Sequence, residues 1–127
     1  MGKYSKALEF YEKSLKMREI SLPPNHPDLA TSYNNIGSVY DSMGEYSKAL
    51  EFYEKSLKIR EISLPTNHPD LATSYNNIST TYYAIGEYSK ALSYLERSLS
   101  IKQKSLPSTH PHIKSVMNSI AAVKKKL

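Results

Sequence analysis

Residues 26–36 read HPDLATSYNNI, and residues 68–78 repeat this sequence without change. A related version beginning His110-Pro111-His112 lies the same distance further along the chain. The period is 42 residues, so the 127-residue chain divides into three blocks, 2–43, 44–85 and 86–127. Blocks one and two are identical at 33 of 42 positions, and blocks two and three at 18 of 42. A repeat of this length predicts an array of stacked supersecondary units, because one unit cannot bury its own apolar face.

Each block begins with the pattern of an amphipathic helix. In block two, the apolar residues fall at i, i+3, i+4, i+7 and i+11, namely Tyr46, Ala49, Leu50, Tyr53 and Leu57. This spacing places them on one face of a helix. Glu51–Lys55 and Glu54–Lys58 are i,i+4 pairs on the polar side, and Pro65 ends the pattern. The sequence therefore predicts a long helix over residues 46–64 and its counterparts.

A second helix is predicted in each block after the His-Pro pair. Proline suits the first helical position, and Asp28 and Asp70 follow where the helix dipole favours negative charge. Gly44 and Gly86 then end the first two of these helices, since a left-handed C-cap favours glycine. Only a tight turn separates each from the next long helix, so the two helices run antiparallel.

These residues resemble the tetratricopeptide repeat consensus, through residues 30–37 followed by Tyr40, Gly44, Tyr46, Ala49 and Tyr53. The usual period is 34 residues. The extra residues here lie in the long helix and in the Leu-Pro-x-x-His-Pro joint, as in the 42-residue repeats of kinesin light chains. The resemblance covers essentially the whole chain. It implies an all-α fold, a right-handed superhelical solenoid of about six helices in antiparallel pairs, forming one domain over residues 1–127.

The sequence departs from that consensus at two kinds of position. The small residue expected on the long helix is Ser14, Ser56 and Ser98 instead of alanine. In block three, Met117 replaces the first tyrosine of the second helix and Lys124 replaces the second. The last helix is therefore predicted to be atypical, as a polar terminal cap is.

The resemblance also implies a binding surface, because in this family the Asn-bearing helix of each pair lines a concave groove. The corresponding positions are Thr31, Asn34, Ser38 and Asp41 in block one, Thr73, Asn76, Thr80 and Tyr83 in block two, and Ser115, Asn118, Ala122 and Lys125 in block three, with Asn35 and Asn77 beside them. Asparagine is a poor helix former that can pair with both groups of a peptide backbone. A purely structural role, bonding to neighbouring helices, explains these asparagines as well.

Blocks one and two differ at 9 positions, and six of these fall within residues 37–43 against 79–85. This segment includes predicted groove positions, so the differences indicate distinct subsites for a bound segment. Drift at a solvated helix end is the competing explanation. On the first interpretation, the chain is a protein–protein interaction scaffold that binds an extended peptide.

Other chemistry finds little support in the sequence. His26, His68 and His110 lie one repeat apart, so we interpret them as helix caps and not as metal ligands. No catalytic set, cofactor motif or glycine-rich phosphate loop appears, and we expect no enzyme activity, cofactor or metal. Cysteine is absent and no apolar stretch approaches ~20 residues, so we expect a cytoplasmic protein with no membrane partner. The net charge of +5 is dispersed among glutamates, which disfavours a nucleic-acid partner.

The terminal helices give an alternative function. The first long helix, about residues 3–22, has no preceding mate, so Tyr4, Ala7, Leu8, Tyr11 and Leu15 are expected to be partly exposed. Exposed apolar faces tend to mark interfaces. The chain is therefore either a fragment of a longer array or a unit that associates weakly with itself through its end helices, acting as a structural spacer. Lys124 and Lys125 oppose such a contact.

Overall fold

The computed structural model describes residues 2–127 as six helices, with no strand among them. The helices are α1 (Gly2–Ser21), α2 (Pro27–Ser42), α3 (Tyr46–Ser63), α4 (Pro69–Ile85), α5 (Tyr88–Ser105) and α6 (Pro111–Lys126). The helices fall into two compact units: Met1–Leu64 contains α1 to α3, and Pro65–Leu127 contains α4 to α6. The prediction of an all-α array of helix pairs is confirmed, and the helix bounds agree with those expected from the sequence.

The His-Pro pairs start the second helix of each block as predicted. His26, His68 and His110 are N-cap residues with extended backbone, and proline follows at the first helical position. Each histidine accepts a hydrogen bond at Nδ1 from the backbone N–H two residues later, over 3.0–3.1 Å. The caps satisfy one of the otherwise unpaired N–H groups at each helix start.

Glycine allows the tight turns between hairpin helices. Gly44 and Gly86 have φ angles of 81° and 96°, a region that L-residues with side chains rarely adopt. The residue after each glycine donates a backbone hydrogen bond to the preceding helix: Glu45 N donates to Tyr40 O, and Glu87 N donates to Tyr82 O, both over 2.9 Å. The next helix begins one residue later, so α2–α3 and α4–α5 are antiparallel hairpins.

In the first unit, the hairpin of α2 and α3 closes at Gly37. A Cβ added to Gly37 would lie 2.8 Å from Cδ1 of the Tyr53 ring and 3.2 Å from the Ala49 carbonyl oxygen. Tyr53 and Ala49 are both buried. The tyrosine ring therefore occupies the space that any side chain at residue 37 would need.

In the second unit, Ser79 and Leu95 occupy the positions of Gly37 and Tyr53. Both are buried, and Ser79 Oγ donates a hydrogen bond of 2.8 Å to the Ala91 carbonyl oxygen across the hairpin. The smaller leucine leaves room for the serine side chain. One of the differences between blocks one and two, Gly37 against Ser79, thus has a packing explanation that does not need a ligand.

Aromatic residues cover one edge of each hairpin. Phe52 lies between Tyr33 and Tyr40 with ring centroids 6.2 and 5.7 Å away. In the second unit, Tyr94 lies in the same way between Tyr75 and Tyr82, at 6.1 and 5.8 Å. These clusters explain why tyrosine recurs at residues 33 and 75 and at residues 40 and 82. In α6 the equivalent positions hold Met117, which is exposed, and Lys124.

The first helix is the least covered. No described residue of α1 is buried, although α3, with nearly the same sequence, buries six. Ala7, Leu8, Tyr11 and Leu15 are half-buried, and Phe10 is 69% exposed. The predicted partial exposure of this face is confirmed.

The serines that replace the consensus alanine differ in their hydrogen bonding. Ser98 is buried, and its Oγ donates to the Ala72 carbonyl oxygen over 3.2 Å, which joins α5 to α4. Ser56 is equally buried, but its Oγ has no hydrogen-bond partner among residues 2–127. A buried hydroxyl without a partner costs stability, whereas a bonded one contributes.

We predict that Gly37→Ala lowers the free energy of unfolding by about 1 kcal/mol, because overpacking against Tyr53 outweighs the gain in helix propensity. In a Tyr53→Leu background, the same substitution should be neutral or stabilising. Urea unfolding of the four proteins gives the coupling free energy, expected at about 1–2 kcal/mol. An equal effect of Gly37→Ala in both backgrounds would contradict the packing explanation.

We also predict opposite results for two matched serine substitutions. Ser98→Ala should lower the free energy of unfolding by about 1 kcal/mol, because it removes a buried hydrogen bond and leaves a carbonyl with one partner fewer. Ser56→Ala should leave stability unchanged or raise it slightly. The same urea experiment measures both, and a larger loss for Ser56→Ala than for Ser98→Ala would show that the assignment of the two hydroxyls is wrong.

Candidate functional site

The predicted binding residues of the first unit lie on α2. Thr31 and Ser38 are exposed, while Asn34, Asn35 and Asp41 are half-buried. Thr31 Oγ1 donates to the Pro27 carbonyl oxygen over 3.4 Å, so its hydroxyl is turned back onto its own helix. Thr31, Asn34, Ser38 and Asp41 follow one another at intervals of three or four residues, which places them on one helix face.

The end of this face is occupied by the side chain of Tyr53 from α3. The pKa of Tyr53 is raised to about 12, mainly by burial and also by the Asp41 carboxylate, while a hydrogen bond with Ser38 opposes the shift. The tyrosine hydroxyl is therefore close to both Ser38 and Asp41. In the first unit, two of the predicted binding residues thus surround a side chain of the hairpin itself.

The second unit has an open cavity of about 420 Å³ bordered by all three of its helices. Its lining residues are Asn76, Ser79, Thr80 and Tyr83 of α4, Leu95 and Lys102 of α5, and His112, Ser115, Val116, Ser119, Ala122 and Val123 of α6. The volume falls in the usual range for ligand clefts. The sides carry hydroxyl and amide groups, and Leu95, Val116 and Val123 form an apolar floor.

The cavity brings together five of the predicted groove residues, Asn76, Thr80, Tyr83, Ser115 and Ala122. Four others of this unit, Thr73, Asn77, Asn118 and the exposed Lys125, lie outside it. Thr73 is exposed and donates to the Pro69 carbonyl oxygen, and Asn77 is half-buried next to the lining. Asn118 is exposed and borders a shallow depression on α6 together with Ser115 and Ser119.

The floor residue Leu95 has the repeat position of Tyr53. A leucine is shorter than a tyrosine and carries no hydroxyl, so the face of α4 beside Thr80 and Tyr83 is not occupied as the equivalent face of α2 is. Thr80 and Tyr83 are the counterparts of Ser38 and Asp41. The substitution of leucine for tyrosine therefore creates the open floor of the cavity.

The cavity also has a basic end. Lys102 of α5 is half-buried, its ammonium group makes no hydrogen bond or ion pair to another residue in the described part of the chain, and His112 of α6 also lines the cavity. No acidic residue lines the cavity. A bound group would therefore meet an apolar floor, neutral hydrogen-bonding walls and an unpaired positive charge.

The position of Lys102 is occupied by Arg18 in the first block. Arg18 Nη1 donates to the Asp28 carbonyl oxygen over 3.0 Å and to Ser32 Oγ over 2.9 Å, which joins α1 to the start of α2. In the third block the corresponding residues are Lys102, His112 and Val116, and all three line the cavity. The loss of the arginine contacts is what leaves the lysine available.

These α5 residues were not among the predicted groove positions, which came from the Asn-bearing helices alone. A signal for them existed in the sequence: blocks two and three differ at both Tyr53 against Leu95 and Arg60 against Lys102. Within residues 2–127, no group of three or more His, Cys, Asp or Glu side chains is arranged to hold a metal ion. Over the same residues, no helix combines the length and hydropathy required to cross a bilayer.

Two family models match the chain, both described as tetratricopeptide repeat, over residues 1–62 and 71–112. No curated protein sequence matches it at a significant level.

Among solved structures, the chain is similar to the kinesin light chain nearly identical TPR-like repeats of Podosopora anserina, with a TM-score of 0.89 and 25% identity over 98% of this chain. It is also similar in fold to BtubC (BKLC) of P. vanneervenii, with a TM-score of 0.89 and 24% identity over 98% of this chain. The N-terminal domain of stress-induced protein-1 of C. elegans matches less closely, with a TM-score of 0.63 and 21% identity over 90% of this chain and 76% of that domain. The chain spans 59% and 50% of the first two structures.

Proposed function

Because the chain belongs to the tetratricopeptide repeat family, whose repeats mediate protein–protein interactions, we propose that it is a scaffold that binds an extended segment of a partner protein. The observation that carries the proposal is the cavity of the second unit, which gathers Asn76, Thr80, Tyr83 and Ser115 around one open space. The partner segment lies against α4 and α6 there. In the first unit, the proposed contact residues are Thr31, Asn34, Asn35, Ser38 and Asp41 of α2.

The polar walls suit a peptide backbone. Asn76 offers two donors and an acceptor, and Thr80, Ser115 and Ser119 add hydroxyls that both donate and accept. An extended peptide presents unpaired N–H and C=O groups, which need such partners when they leave water. Asn118 borders the adjoining depression and continues this surface along α6.

The floor and the basic end suit particular side chains of the bound segment. Leu95, Val116 and Val123 favour an apolar side chain inserted into the cavity, since its burial contributes roughly 1.5–3 kcal/mol. Lys102 favours an acidic side chain or a terminal carboxylate beside it, because the lysine has no carboxylate partner of its own among the described residues. The proposed ligand therefore combines one buried apolar group with a nearby negative charge.

A library of ten-residue peptides displayed on phage and selected against the intact chain provides the test. We predict that a selected peptide, synthesised and measured by fluorescence anisotropy, loses at least tenfold in affinity for the Ser79→Gly/Leu95→Tyr variant. This pair transfers the packing of Gly37 and Tyr53 to the second unit, so it fills the cavity floor without overpacking the hairpin. Asn76→Ala should weaken the same peptide about fivefold, which corresponds to one hydrogen bond.

Two controls accompany this measurement. Asn34→Ala changes the same side chain in the first unit, and its effect shows whether the bound segment also meets α2. Circular dichroism and thermal unfolding establish that each variant is folded. Unchanged affinity of the selected peptide for both the filled-cavity variant and Asn76→Ala would contradict the proposed site.

Self-association through α1 is a second candidate function, favoured by the exposure of its apolar face. Ala49, Tyr53 and Leu57 are buried on α3, whereas their counterparts on α1 are only half-buried. A face with the same sequence can accept the same kind of helix, supplied by another copy of the chain. Lys124 and Met117 weaken this candidate, because α6 lacks the two tyrosines that pack on Phe52 in the hairpin.

If self-association operates, the molar mass from light scattering should rise above 14.4 kDa with concentration, and Leu8→Glu should restore the monomer mass. The added charge would lie in the apolar contact, where its desolvation is unfavourable. Ser5→Glu adds the same charge at an exposed position of α1. At each concentration, the molar mass of this variant in solution should match that of the wild-type protein. A constant mass of 14.4 kDa for all three proteins would exclude the interface under those conditions.

A further inference from the structure

The joint between α5 and α6 differs from the joint between α1 and α2 in the charges around its histidine cap. In both joints, the N-cap histidine accepts a hydrogen bond at Nδ1, from Asp28 N at His26 and from His112 N at His110. This bond requires an unprotonated Nδ1, since an imidazolium nitrogen can only donate. Histidine is the side chain that gains its proton between about pH 8 and pH 5.

At the start of α2, a carboxylate is available to replace the lost bond. Asp28 Oδ2 lies 3.9 Å from His26 Nδ1, and Asp70 Oδ2 lies at the same distance from His68 Nδ1 at the start of α4. A proton on Nδ1 then gives an ion pair with the aspartate in exchange for the neutral cap bond. The negative aspartate also remains favourable at the positive end of the helix dipole.

At the start of α6, the residue in the place of that aspartate is His112. Its ring centroid lies 4.7 Å from that of His110, and the first turn of α6 contains no acidic residue. Within residues 2–127, neither histidine lies within salt-bridge distance of a carboxylate. Protonation here removes the cap bond and places two positive rings side by side at the helix end where positive charge is least favourable.

Lysines that share the cavity or lie near this joint in the sequence add further positive charge. Lys102 of α5 lines the cavity with His112, Lys104 of α5 donates to Asn67 Oδ1 over 3.3 Å, and Lys114 follows on α6 itself. The α4 residues that share the cavity, Asn76, Ser79, Thr80 and Tyr83, include no acidic or basic side chain.

We propose that the start of α6 is an acid-sensitive joint, which opens as His110 and His112 become protonated and so alters the cavity of the second unit, whereas at α2 and α4 an ion pair with Asp28 or Asp70 replaces the lost cap bond. The sign follows from proton binding. The open joint binds more protons than the closed one, so the closed joint is fully stable at high pH and loses stability as pH falls through the histidine range. His112 lies in the cavity wall, so the same step changes both the charge and the position of that wall.

The test is native-state amide hydrogen exchange measured by NMR on the intact chain at pH 7.5 and pH 5.5, corrected for intrinsic exchange rates. The protection of α6 amides is expected to fall at least fivefold more than that of α4 amides in the same molecule, the effect of losing one helix cap. His112→Asp restores the aspartate of the other joints and should remove this α6-specific loss. Asp28→His creates the paired histidines at α2 and should confer acid sensitivity there.

His112→Asn provides a second variant that cannot titrate, and it should also reduce the acid response of α6. Because these measurements need no ligand, their outcome is independent of whether a peptide binds the cavity. The proposal is overturned if α6 and α4 lose protection in parallel, or if the α6-specific loss persists in both His112→Asp and His112→Asn.

Discussion

The close contact between the two helices of a hairpin is the constraint on which the rest of each unit depends. Gly37 meets the ring of Tyr53 in the first unit, and Ser79 meets Ala91 beside Leu95 in the second. A large residue on the long helix thus requires glycine on the other, and a smaller one admits serine. The choice at this contact determines whether the space beside the Asn-bearing helix is filled by the hairpin or left open as a cavity floor.

The elements of the fold could be predicted from the sequence because their signals are local. The His-Pro pairs start helices, Gly44 and Gly86 end them, and the apolar spacing between these points has a helical period. The repetition of these signals at 42 residues then implies stacking. The atypical character of α6 was also predictable, because Met117 and Lys124 replace tyrosines that form aromatic clusters elsewhere.

The candidate site was predicted only in part, because a cavity depends on what three helices do together. The face of each Asn-bearing helix, taken alone, predicted residues that do line the cavity, namely Asn76, Thr80, Tyr83 and Ser115. Leu95 and Lys102 come from the long helix. Core residues and cavity-lining residues follow the same spacing along that helix, so the sequence pattern does not distinguish them. Sequence comparison alone also cannot assign a cause to the differences concentrated within residues 37–43 and 79–85. For the difference between Gly37 and Ser79, the cause is packing within the hairpin.

Departures from the repeat in block three converge on one end of the second unit. In α5 and α6, the replacement of arginine by lysine and of serine by valine removes the counterparts of the side-chain contacts that tie α1 to α2, and histidine stands in the place of aspartate. The same three replacements give Lys102, His112 and Val116 their places in the cavity. A less constrained joint and an unpaired cation therefore have a common origin. The proposed ligand site and the proposed acid sensitivity are two consequences of that origin, and either can fail without the other.

The central claim is that the second unit binds a partner segment in its cavity. Its most direct measurement is a titration of the ¹⁵N-labelled chain with a peptide selected against it, followed by amide chemical shifts. We predict that the largest shifts fall on α4 and α6 around Asn76, Thr80, Ser115 and Ser119, with a further shift at Lys102 of α5. Largest shifts on the exposed face of α1, with those cavity residues unmoved, would contradict it.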